Sequence, residues 1–172
     1  MGIRDEELSR LKKYAHALGT KITFKPYVPH SGDAASWVLS DNGEIELIIY
    51  TASSTSKTEL IIAIVHELAH QLSYIYQGRK LDETLNVVLE KEDHEVTKSE
   101  RKRIYEMEVA DALYQENIWN ELNIKIPMYK LKASLAFDEW IYRKFYEDGV
   151  FPPKKERTEI KRSFLEKFKQ QS

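Results

Sequence analysis

Residues 59–78 read ELIIAIVHELAHQLSYIYQG, and no other stretch limits the fold as tightly. An apolar run over 60–65 leads straight into His66, Glu67, Leu68, Ala69 and His70. Leu68, Ala69, Gln71 and Leu72, between and after the histidines, carry no charge, so this segment reads as an amphipathic helix that can be buried. Ser56-Lys57-Thr58-Glu59 has the spacing of a capping box and opens the helix; it stops near Gly78. The apolar run is far too short to cross a bilayer, which takes about 20 residues.

The rest of the chain supplies an α+β frame. Ile3, Leu8, Leu11, Ala15 and Leu18 predict a helix over 3–18, with Gly19 as its stop. Residues 21–28 alternate like a strand until Pro26 and Pro29 interrupt it, and 30–36 read as a loop. Residues 37–50 predict a hairpin about Asp41-Asn42-Gly43. Its second run is the most apolar strand and belongs inside a small antiparallel sheet. Residues 81–92 read as a short helix and 91–97 as a charged connection. A second capping box, Thr97 to Glu100, starts a long helix that reaches about Leu122. A helix over 129–148 closes at Gly149, and Pro152-Pro153 begin a last charged helix. The expected organisation is one domain over 1–150, with a terminal helix, 151–172, packed on it.

Composition excludes several classes. The 26 basic and 28 acidic side chains leave a net charge of −2, which gives no strong nucleic-acid signal. With no cysteine, disulfides and thiolate metal sites are ruled out, and a metal site must use His, Asp and Glu. The charged N-terminus has no signal-peptide pattern, and no segment suits a membrane span, so a cytoplasmic protein is expected.

Helical positions four apart stack on one face, so His66 and His70 can aim two imidazoles at one point with Glu67 on its flank. A hydrolytic metal centre needs this set: two neutral imidazole ligands, and a carboxylate to take a proton from a water that the metal activates. A third protein ligand is then required. On the helix over 99–119, Glu108 and Asp111 project into the apolar arc near Ile104, where carboxylates are costly unless paired or metal-bound. Glu108 is the preferred ligand, with Asp111 orienting a histidine from behind. Glu106, on the polar arc, is the alternative, and His94, in a charged connection, stands behind both. Ala110 is read on the apolar arc as well.

HELAHQLSY, followed some dozens of residues later by a helix carrying Glu106-Met107-Glu108, resembles the ImmA/IrrE-like zinc peptidases of bacteria and mobile elements. More broadly it resembles the gluzincins, whose third ligand is a helix glutamate. The resemblance covers roughly residues 35–120, and the N-terminal helix and β-hairpin suit it. It implies a zincin-like fold, a Zn2+ cofactor and, in that family, cleavage of a repressor. Gluzincins tend to place an acidic or amide residue four after the ligand glutamate. Here Ala110 and Ala112 occupy those positions, with Asp111 three after Glu108, and the assignment of the third ligand stays open between Glu108 and Glu106.

The expectation is therefore a zinc-dependent metallopeptidase acting on a protein or peptide substrate. Its rival is a catalytically weak or inactive binding module on the same scaffold. Strand 44–50 is a candidate edge for an extended substrate, against an ordinary interior role. Tyr74, Tyr76 and Tyr114 are weighed as oxyanion partners against core packing. Ile160, Phe164, Leu165 and Phe168 form a stripe suited to docking the last helix.

Overall fold

Residues 45–50 are almost wholly apolar, and they form the middle strand of the sheet. In a computed structural model that describes residues 3–27, 35–40, 42–52, 56–78 and 91–172, the chain runs α1 (Ile3–Ala17), β1 (Thr20–Lys25), β2 (Ala35–Leu39), β3 (Ile45–Tyr50), α2 (Lys57–Tyr76), a 3-10 turn (Asp93–Glu95), α3 (Lys98–Glu121), α4 (Met128–Asp148) and α5 (Lys154–Gln170). The class is α+β as expected, with five α-helices and one three-stranded sheet among the described residues. The helix expected over 81–92 falls, save for its last two residues, outside them.

Strand order is β1-β3-β2. β2 and β3 form the expected antiparallel hairpin, with Trp37 opposite Leu47, but β1 runs parallel to β3, with Ile22 opposite Leu47. The sheet is mixed rather than antiparallel. Alternation in sequence tells which face a residue takes and says nothing of its neighbour's direction. The central place of β3 explains its burial: Ile45, Leu47, Ile48, Ile49 and Tyr50 are all buried. It also corrects the expectation of a substrate edge on 44–50, because both sides of β3 are paired. Among the described residues the edge strands are β1 and β2.

The chain forms two compact units, Met1–Ser73 with Tyr114–Ile126, and Tyr74–Leu113 with Pro127–Ser172. In the first, α1 buries Leu11 and Ala15 and clamps the turn after α3. The buried Glu7 carboxylate accepts the backbone N–H of Lys125, and Arg10 donates to the carbonyls of Leu122 and Asn123 at 3.0 and 3.2 Å. That turn is a Schellman motif: Ile124 N–H reaches Trp119 O at 3.1 Å and Asn123 N–H reaches Asn120 O at 3.0 Å, with Asn123 left-handed at φ 48°.

In the second unit Val96, Ile104 and Phe145 form a buried cluster with Tyr142 packed against it. Thr97 and Glu100 complete their capping box: Thr97 N–H donates to Glu100 at 2.7 Å, and Glu100 N–H to Thr97 Oγ1 at 3.3 Å. α4 ends at Gly149, whose φ of 81° favours glycine and where an added Cβ would stand 3.3 Å from the Arg101 guanidinium. The turn lets Phe151 stack on Phe145, with ring centroids 4.2 Å apart, and α5 then packs along α4.

Candidate metal centre

α2 positions the motif by burying its other faces. Ile61, Ile64, Val65, Leu68 and Ala69 are each at most 1% exposed, so the helix cannot rotate without exposing them to water. Its lateral anchor is Gln71, fully buried, which accepts from Thr20 Oγ1 and donates to Leu18 O at 3.2 Å. The capping serine accepts Glu59 N–H at 3.2 Å, a contact worth about 1 kcal/mol to the helix start.

His66 and His70 project from α2 half-buried. Their rings meet edge to face at 89°, with Nε2 of one 3.0 Å from Nε2 of the other. Two imidazole ligands of one tetrahedral zinc stand about 3.3 Å apart at bond lengths of about 2.0–2.1 Å, so the two Nε2 atoms stand near the spacing that a shared ion requires. Glu67, one residue round, is held by the sheet: its Oε2 accepts the backbone N–H of Trp37 at 2.8 Å. Ser40, three residues on, donates its backbone N–H to Glu44 across the hairpin at 2.9 Å. By alternation along an antiparallel pair, Trp37 therefore turns its N–H away from β3, onto the outer edge of β2.

On α3 the buried stripe is Ile104, Asp111, Gln115 and Ile118, spaced seven, four and three apart. Glu108 is half-buried on this same face, one turn before Asp111. Glu106, the alternative ligand, lies exposed on α3 and pairs with Lys102 at 3.5 Å, one turn back on the same helix. His94 is exposed in the 3-10 turn. Ala110, read on the apolar arc, is exposed instead, while Val109 and Leu113 face solvent on the polar arc where the helical projection puts them.

Two participants had no clear signature in the residue pattern. Trp37 contributes its backbone N–H, which any residue but proline carries. Gln115, 2% exposed, places its side-chain amide Nε2 3.0 Å from His66 Nδ1. A signal for Gln115 exists, since it sits seven residues after Glu108 and four after Asp111, on one helical face. Of the tyrosines weighed as oxyanion partners, Tyr76 is 72% exposed, so core packing does not account for it; Tyr74 and Tyr114 are half-buried.

No family model, curated protein or solved structure matches this chain. No helix among the described residues is long and apolar enough to cross a membrane.

Proposed function

We propose that this chain is a zinc-dependent peptidase of the zincin type, acting on protein or peptide substrates in the cytoplasm. One observation carries the reading: two imidazole Nε2 atoms 3.0 Å apart, beside a carboxylate that a backbone N–H holds at 2.8 Å. A core pair of histidines needs neither this spacing nor the neighbouring carboxylate.

His66, His70 and Glu108 would hold the ion, two nitrogens and one carboxylate oxygen that suit Zn2+ and leave a coordination position for substrate. Bound there, the ion supplies Lewis acidity, which acidifies water and polarises a carbonyl oxygen. Glu67 takes the proton of the attacking water and passes it to the departing amine. Trp37 N–H fixes one oxygen of that carboxylate and so orients the other. An extended substrate pairs along the outer edge of β2, where Ala35 and Leu39 turn their backbone groups the same way as Trp37.

The test is metal analysis of protein purified without chelators, followed by incubation of the zinc-loaded protein and Glu67→Gln with a fluorogenic peptide library. The reading expects about one zinc per chain and cleavage by the wild type alone. Zinc uptake without cleavage of any peptide would leave the binding-module alternative in its place. No uptake would remove the metal centre altogether.

A further inference from the structure

Nδ1 of His66, the ring nitrogen that does not meet His70, faces a buried amide. Gln115 Nε2 lies 3.0 Å from His66 Nδ1, and Gln115 Oε1 is buried with no hydrogen-bond partner. A half-turn about its last bond exchanges Oε1 and Nε2 and sets the oxygen on Nδ1.

Which end faces the ring depends on the proton of His66. A neutral imidazole carries one N–H and one lone pair. When the Nε2 lone pair goes to a cation, the N–H must be on Nδ1, and it requires an acceptor. When Nε2–H instead donates to the facing Nε2 of His70, Nδ1 carries the lone pair and requires a donor. Glutamine supplies either by rotation, whereas a carboxylate supplies only the first and a lysine only the second.

We propose that Gln115 is a positioning residue for His66: its amide oxygen accepts the Nδ1–H of the metal-ligating tautomer, and the same amide, turned over, donates to Nδ1 when no cation is bound. The inference rests on the metal-centre reading above. It differs from the sequence expectation, which gave the role of orienting a histidine to Asp111.

The test compares wild type, Gln115→Leu and Gln115→Glu. Zinc affinity is read by competition with a chromophoric chelator, and the imidazole nitrogens by 15N-resolved NMR of the zinc-loaded, 15N-histidine-labelled protein. Gln115→Leu should bind zinc about 10–100-fold more weakly. Gln115→Glu keeps the acceptor and should stay near wild type. In the loaded wild type, His66 should show a protonated, slowly exchanging Nδ1–H. That signal needs no variant, so a misfolded Gln115→Leu would not spare the proposal. Absence of the signal, equal affinity in Gln115→Leu, or an equal loss in Gln115→Glu would each overturn it. If the wild type takes up no zinc, this inference falls together with the reading it rests on; normal uptake with an indifferent Gln115→Leu removes this inference alone.

Discussion

The backbone N–H of Trp37 donates to Glu67 Oε2 at 2.8 Å and ties the β2 edge to the motif helix. It has two separable consequences. Because the N–H points away from β3, a proline at 37 deletes the contact without deleting a ladder bond. Trp37→Ala removes the same ring and keeps the N–H. Trp37→Pro should therefore lose peptide cleavage beyond whatever Trp37→Ala loses, while both bind zinc alike. Equal turnover in the two would show that the N–H does not orient Glu67.

Glu67→Gln preserves shape, and its amide oxygen can still accept from Trp37. Fold and zinc content should stay, and turnover should fall by a factor of about 100 or more, since general acid–base catalysis contributes about 10²–10⁴-fold. Full turnover in the variant would remove Glu67 as the proton acceptor.

Metal titration ranks the proposed ligands. His66→Ala and His70→Ala each remove one of two imidazoles and should abolish binding. Glu108→Ala should be severe and Asp111→Asn intermediate, near the 10–100-fold typical of a residue behind a ligand. Glu106→Ala should be silent, because its carboxylate is exposed and engaged with Lys102. A silent Glu108→Ala would dismiss that residue from the site.

How far the sequence carried these points depends on the range over which each is encoded. The His66–His70 pair is four residues apart on one helix, so helical periodicity alone predicts two rings on one face. The preference for Glu108 over Glu106 rests on the phase of α3, which the apolar positions Ile104 and Ile118 report. Parallel pairing of β1 with β3 was not legible, because no residue in either strand encodes its partner's direction. Trp37 was invisible for a different reason: its contribution is a main-chain atom. Gln115 was passed over since a glutamine in an otherwise apolar stripe looks like an ordinary helix former until its neighbour is known.

The clamp on the α3 turn has its own test. Glu7 is 1% exposed and accepts Lys125 N–H, so Glu7→Ala leaves both a cavity and a lost acceptor. The lost hydrogen bond costs about 1–3 kcal/mol, and the cavity adds to it. Arg10→Ala, at a partly exposed site, should cost less. Chemical denaturation of the two variants measures the order, and a larger loss for Arg10→Ala would contradict it.

Glu100 gives a pH dependence. The hydrogen bond from Lys91 at 2.6 Å, then those from the Thr97 backbone and hydroxyl, hold its carboxyl down from 4.5 to about 2. A carboxyl depressed on folding stabilises the protein above its unfolded value, and that contribution is lost as pH falls through the folded one. Glu100→Gln keeps the capping box, because an amide still accepts from Thr97 N–H, and loses the charge facing Lys91. The variant should therefore melt below wild type at neutral pH. The gap should stay constant down to about pH 5 and shrink steadily from there toward about pH 2. Thermal melts of both proteins across that range measure it. A gap that does not change with pH would mean that the Lys91–Glu100 pair contributes through packing rather than through charge.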